Sequence, residues 1–195
     1  MKEKLLKYLT EFTSHSEEVQ RSILDALQIE KYKRGTILLH QGDVPVIKCY
    51  FVLKGCVRQF FVDEYGKEVT SNFFTEEQAI PIFNDKRQDE FSRFSYACLE
   101  DSILVVGDLD SEKGMYHSFP QLETMIRKMM EINISEVQEE FADFIHSSPE
   151  ERYKTIIKKR PQLVDRVPQH QLASFLGITP ESLSRIKKRI EKDDD

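Results

Sequence analysis

At 195 residues and 39% hydrophobic content the chain is long enough for one large or two small domains, with a real core. No run approaches the 18 apolar residues of a membrane span, and the charged, amphipathic start MKEKLLKYLTEF has no apolar signal-peptide region, so a cytoplasmic protein with no membrane partner is expected. The net charge of −6 argues against a nucleic-acid partner until its distribution is read. Residues 147–195 hold 11 Lys+Arg against 8 Asp+Glu, net +3, and three of those acids are the terminal Asp193, Asp194 and Asp195; residues 1–146 hold 17 against 26, net −9. A basic module on an acidic remainder is the asymmetry of a DNA-binding domain joined to a sensor or oligomerisation domain.

Residues 1–28 read as helical. Leu5, Leu6 and Leu9 share one face, Val19, Ile23, Leu24 and Leu27 a second segment, with Ser14 and Ser16 as caps between. From Ile29 to about Val106 the pattern changes to short strands with turn signals. Gly35 precedes TILLHQGD, where Ile37 and Leu39 mark a strand and Gly42-Asp43 a turn. Lys48 to Leu53 is an apolar strand, Gly55 breaks it, and Cys56 to Val62 resumes. Asp63-Glu64-Tyr65-Gly66 is a hairpin turn in which Gly66 is free to take positive φ, and Val69 to Phe74 is the return strand. Such strands, with Gly at roughly regular spacing, suggest a jelly roll or barrel. Cys49, Cys56 and Cys98, odd in number, form neither a disulfide framework nor a metal cluster and read as buried structural thiols. His40, His117 and His146 are isolated; a structural role is the ordinary reading, a haem ligand the alternative.

A long helix is expected near Pro120, PQLETMIRKMMEINISEVQEEFADFIHS. Met130, Ile134, Val137, Phe141 and Phe144 are spaced 4, 3, 4, 3, a coiled-coil seam, while Leu122, Met125, Ile126 and Met129 form an earlier stripe suited to packing on the strands. Ser147-Ser148-Pro149 marks a hinge, and Ser148, Pro149 and Glu151 make a capping box with Pro at the first helical position. The next helix, about 149–160, carries Arg152, Lys154, Lys158, Lys159 and Arg160, some of them candidates for phosphate contact; Leu163 to Val167 is expected to hold the small strands of a wing.

The stretch VPQHQLASFLGITPESLSRIKKRI, residues 167–190, reads as two short helices joined by a tight turn. Leu172, Ala173 and Leu176 share a face of the first, and Gly177 supplies the left-handed residue that ends it. Ile178 plugs the angle, Thr179 is the N-cap, Pro180 fits the first position, and the second helix turns Leu183, Ile186 and Ile190 inward. This is the pattern of a helix-turn-helix. Glu181, Ser182, Arg185, Lys188 and Arg189 then share the outward side. Arg185 can pair both its donors with guanine O6 and N7, Glu181 can accept from cytosine N4, and Lys188 and Arg189 are better placed for phosphates. Gln169 and Thr179, at the two helix starts, complete the expected DNA-contacting set; a solvated face with an i,i+4 Glu–Arg pair is the competing reading.

Taken in order, G-T-I-L-L-H-Q-G-D, Y-F-V-L-K-G-C-V-R, G-K-E-V and L-E-D-S resemble the cyclic-nucleotide-binding β-roll of the Crp–Fnr transcription regulators. S-S-P-E-E-R-Y and R-V-P-Q-H-Q-L-A-S-F-L-G-I-T-P-E-S-L-S-R-I resemble the same family's winged helix-turn-helix. The resemblance covers about residues 29–190 and implies an α+β fold: an N-terminal β-roll (double-stranded jelly roll) with flanking helices, a long dimerisation helix and a C-terminal winged helix-turn-helix. Glu181 and Arg185 match the family's base-reading pair, whereas Pro180 stands where the catabolite activator has an Arg, so the operator is expected to differ. Cyclic-AMP-binding members cradle the phosphate with a Gly-Glu pair and an Arg-Ser. No glycine occurs here between Gly66 and Gly107, Glu76 and Glu77 would repel a phosphate, and Arg93-Phe94-Ser95 is a faint echo of the Arg-Ser pair. Glu76, Arg93 and Ser95 are therefore the candidate effector-pocket residues, no cofactor is expected, and cyclic AMP is not expected to bind. No cysteine precedes Cys49, unlike the iron–sulfur members.

The expected organisation is a β-roll sensor over 1–118, a dimerisation helix over 119–146 and a DNA-binding domain over 147–195. The expected function is a homodimeric regulator of a palindromic operator, with double-stranded DNA and, by the resemblance, RNA polymerase as partners. The alternative is a small-molecule sensor acting through a protein partner, with a degenerate DNA module. No phosphate loop, metal-ligand spacing or catalytic triad stands out, so no enzyme is expected.

Overall fold

The computed structural model describes residues 16–44, 48–82, 91–108 and 120–193. Helix α1 (Glu17–Ala26) buries Ile23 and Leu24. Ser16 occupies its N-cap position without a side-chain bond to the helix; Leu5, Leu6, Leu9 and Ser14 lie outside the described residues. Eight strands follow among the described residues: β1 (Gln28–Tyr32), β2 (Ile37–Leu39), β3 (Lys48–Lys54), β4 (Val57–Val62), β5 (Glu68–Phe74), β6 (Ala79–Ile82), β7 (Ser95–Cys98) and β8 (Ser102–Asp108). They form two four-stranded sheets, ordered β1-β8-β3-β6 and β2-β7-β4-β5, with antiparallel pairing throughout.

The sheets enclose one apolar core. Tyr50, Val52, Ile80, Ile82, Leu104 and Val106 come from the first sheet, and Val57, Phe74, Tyr96 and Cys98 from the second. Turn chemistry sets the register. Gly66, at φ +76, closes the β4–β5 hairpin with its N–H on Asp63 O, and Asp63 Oδ1 accepts from the N–H groups of Tyr65 and Lys67. Gly55, between β3 and β4, takes φ +115, and a Cβ there would lie 2.2 Å from Ser102 Oγ, so no other residue fits. Along β5 the alternation of a strand sends Phe74 into the inter-sheet core and Phe73 to the opposite face.

Helix α2 (Pro120–His146) is 27 residues and so about 40 Å long. It is followed by α3 (Pro149–Lys159), α4 (Pro161–Arg166), α5 (Gln169–Phe175) and α6 (Pro180–Asp193). The Ser148 capping box forms as expected: Glu151 N–H donates to Ser148 Oγ at 3.3 Å and Ser148 N–H to Glu151 Oε2 at 2.7 Å, with Pro149 at N1. The expectation of wing strands at Leu163–Val167 is corrected. Pro161 opens a helix there, Leu163 is fully buried on its inner side, and no strand follows Asp108 among the described residues. The fold is an antiparallel β core with helices.

Candidate nucleic-acid interface

Helix α5 ends in a Schellman arrangement. Gly177, at φ +73, donates to Ser174 O and Ile178 to Ala173 O, both at 3.0 Å. Thr179 Oγ1 accepts from Ser182 N–H at 3.2 Å and caps α6, whose first residue is Pro180. Leu172, Ala173, Leu176 and Leu183 are essentially solvent-free, with Ile186 buried and Ile190 packed against them. The methyl-sized Ala173 at this crossing lets the two helices approach closely.

The opposite side of α6 is open. Glu181, Arg185, Lys188 and Arg189 are exposed and Ser182 partly so. Arg185 Nη2 donates only a long bond, 3.3 Å, to Ser182 Oγ, which leaves its guanidinium edge available. The Glu181 carboxyl is held below the usual range, first by a hydrogen bond to its own backbone N–H, then by Thr179 and the Arg185 charge, so it stands ionised as an acceptor. Arg189 is different: it pairs with Glu150 in the first turn of α3, and Glu150 also binds Lys154 at 2.9 Å. Gln169 Nε2 donates to Ser184 Oγ at 2.9 Å, stapling the two helices.

Of the cations on α3 and at its C-cap, Arg152 and Arg160 bind backbone carbonyls. Arg152 stacks 3.6 Å from the Phe144 ring centroid and donates to Phe144 O and Leu176 O at 3.1 Å each, tying the end of α2 to the α5–α6 turn. Arg160 donates to Phe73 O on β5. Lys158 is exposed, and Lys159 lies 3.8 Å from Asp143.

These helices dock on the second sheet. Phe175 meets Phe73 edge to face at 5.4 Å, and Cys56 and Phe73 share one buried cluster with Tyr153, Leu163, Leu172 and Leu176. Beside the β4–β5 bulge Thr70 N–H donates to Ser174 Oγ at 3.0 Å. Arg166 on α4 grips Glu76 with both Nη atoms, at 2.8 and 3.0 Å, and Nη2 also reaches Glu100. Glu76 accepts in addition from Gly55 N–H at 2.9 Å. Burial pushes the Glu76 carboxyl up, but the bonds from Arg166, Gly55 and its own N–H outweigh that and hold it at about 2.

The sequence grouped Glu76, Arg93 and Ser95; the structure does not bring them together. Glu76 lies by the Gly55 end of β4, committed to Arg166. Ser95 pairs with Phe60 farther along that strand, its hydroxyl accepting from Gln41 N–H at 2.8 Å, and Arg93 is exposed. Residues 83–90, central to the expected pocket, lie outside the described residues. Sequence reasoning missed the Arg166–Glu76–Glu100 cluster, because its members are 24 to 90 positions apart and share no pattern.

On α2 the seam residues Ile134, Val137, Phe141 and Phe144 are 58%, 52%, 65% and 38% exposed in the single chain. The side chains of Met130, Leu122, Met125, Ile126 and Met129 lie outside the described ones. Cys56 and Cys98 are buried, and burial pushes the Cys56 thiol up to about 12; Cys49 is half-buried. His40 and His146 are exposed, and His117 lies outside the described residues. Among the described residues no metal-binding cluster occurs and no helix is long and apolar enough to cross a membrane.

Two packed antiparallel sheets, a long helix with an exposed apolar seam and a docked helical unit define a β-roll protein with a helical C-terminal region. Residues 29–110 match the family described as cyclic nucleotide-binding domain. Over most of the chain the fold is similar to that of solved regulators, one of them described as of the crp/fnr family. FixK2 from Bradyrhizobium japonicum superposes with a TM-score of 0.69 at 14% identity, covering 87% of this chain and 86% of its own. CLP, the c-di-GMP-responsive global regulator of Xanthomonas campestris, gives 0.67 at 14% identity, covering 92% and 93%. A crp/fnr-family regulator from Eubacterium rectale gives 0.66 at 16% identity, covering 96% and 88%. No curated protein is a significant match in sequence.

Proposed function

We propose that this chain is a DNA-binding transcription regulator of the Crp–Fnr type, acting as a homodimer on a palindromic operator. Residues 1–118 form the sensor, 119–146 the dimerisation helix and 147–195 the helix-turn-helix domain. The observation that carries the reading is the capped α5–Gly177–α6 unit with Glu181, Ser182, Arg185 and Lys188 on its open side. Glu181 and Arg185 read base edges, Lys188 takes phosphate, and Gln169 and Thr179 place the two helix starts at the groove edge. Arg189 reaches phosphate by leaving Glu150.

The exposed seam supports the dimer. Four large apolar side chains at 3- and 4-residue spacing on a 40 Å helix are stable in water chiefly when a second helix covers them. The pair is parallel in this reading, which sets two α6 helices side by side. The absence of glycine between Gly66 and Gly107, together with the commitment of Glu76 to Arg166, supports a sensor that does not take cyclic AMP. Any effector acts by shifting how α2 presents the reading helices. The protein works in the cytoplasm, with RNA polymerase as its further partner. Selection of bound sequences from random DNA, with and without cell-extract metabolites, tests the reading; an enriched inverted repeat is expected. A library returned without any enriched motif would leave the protein-partner sensor as the better account.

A further inference from the structure

The docking of the C-terminal helices on the second sheet restrains the very part that reads DNA. We propose that the Arg166–Glu76–Glu100 clamp is a specificity device, positioning each reading helix against its own β-roll so that the dimer accepts one half-site spacing. The inference rests on the DNA-reading function proposed above.

Ser147 and Ser148 join α2 to α3, and Arg152 ties Phe144 O to Leu176 O across that joint. Both Arg152 bonds lie close to the hinge itself. They hold the module near the helix end but give little leverage against rotation about it. The second set of contacts lies away from the hinge, on the β-roll. Phe175 against Phe73, Ser174 Oγ on Thr70 N–H and Arg160 on Phe73 O form the floor. Arg166 closes it, with its guanidinium between two carboxylates. A two-pronged Arg–carboxylate pair fixes direction as well as distance, because both N–H bonds must stay in line. Two anchors at separate places remove the rotation that one would allow.

That rotation governs spacing. Recognition helices in a symmetric dimer must enter major grooves about one helical turn, roughly 34 Å, apart. Each base pair inserted between half-sites moves them by about 3.4 Å and also turns one against the other. A module free to swivel at Ser147–Ser148 follows such changes; a clamped one does not. Glu76 and Glu100 suit the role because both sit in turns, before β6 and β8, and not in a strand. Their replacement breaks no strand pairing, but Glu76→Lys also removes the acceptor of Gly55 N–H, so Arg166→Lys, which leaves that bond in place, is measured beside it.

The experiment uses the full-length dimer and its selected operator, with the central spacing lengthened or shortened by one and two base pairs. Wild type is expected to lose at least tenfold in affinity at every altered spacing. Glu76→Lys/Glu100→Lys sets like charge against Arg166 and Arg160; it is expected to lose less than threefold, with base preference within each half-site unchanged. Cys56, buried beneath the docked face, reports undocking independently: its alkylation, followed by peptide mass spectrometry, should accelerate at least tenfold in the variant. Should that variant not fold, Arg166→Lys keeps the charge, loses the two-pronged geometry, and is read by the same two measurements. Faster Cys56 labelling with spacing selectivity intact overturns the proposal, as does unchanged labelling with unchanged selectivity. A wild type without base preference at any position overturns the DNA-reading function, and the clamp's role with it.

Discussion

Arg185→Ala tests the reading of DNA most directly. In the free protein this guanidinium is exposed and makes a single long bond to Ser182 Oγ, so truncation should cost almost no stability, within about 0.5 kcal/mol. What it loses is the contact with DNA. A good bidentate Arg–guanine pair discriminates by about 1–3 kcal/mol, and a two-fold symmetric site contains the pair twice. The loss on the preferred operator should therefore be about 2–6 kcal/mol, on the order of 30-fold to more than 10⁴-fold in Kd. It should be concentrated at one position per half-site, where all four bases become nearly equivalent. Lys188→Ala provides the comparison. A phosphate contact carries no sequence information, so this variant should weaken every sequence alike and make the salt dependence shallower by about 1 in slope per half-site. The assay is fluorescence anisotropy at fixed salt for each variant against all single-base substitutions of the selected site, with thermal melting as the check on folding. The same uniform loss for Arg185→Ala and Lys188→Ala, with no position relaxed, would refute base reading by α6.

Three further outcomes follow from the same structure. Phe141→Glu places a charge in the α2 seam and should give monomer by light scattering at micromolar concentration; an unaffected dimer would show that the seam lies elsewhere. Cyclic AMP at millimolar concentration should give no heat by calorimetry and no change in DNA affinity, whereas a micromolar Kd, about −8 kcal/mol, would overturn the argument from the missing glycines and from Glu76 being held by Arg166. Glu76, with its folded-state value held at about 2 and an unfolded value near 4.5, adds stability that is fully present above about pH 4.5 and lost as pH falls towards 2. Urea midpoints of wild type should fall more steeply over that range than those of Glu76→Gln, and parallel curves would contradict the assignment.

The elements legible in the sequence were those whose cause is local. The β4–β5 hairpin follows from Asp63 and Gly66, which bond within five residues of one another. The α3 capping box, the Gly177 turn and the Thr179–Pro180 start of α6 follow from short-range bonding and from the conformations that Gly and Pro permit. The inward sets, Leu172, Ala173 and Leu176 against Leu183 and Ile186, follow from helical period alone. Where local signals were weak, expectation and structure part. Leu163–Val167 carries no strong period, and it became helix because Pro161 starts one and the cluster around Leu163 completes it. Glu76 read as a pocket residue by its neighbours in sequence, yet its partner stands 90 positions away on α4. The face of β5 that Phe73 occupies could not be assigned to an interface from alternation, since period two says only that Phe73 and Phe74 diverge. The pairing of Arg189 with Glu150 rests likewise on the fold of α3 against α6. Caps, turns and periodic faces depend on bonds a few residues long, and residue order determines those; which charge meets which across 24, 39 or 90 residues is decided only when the sheets and helices pack, because only then do those side chains leave water together.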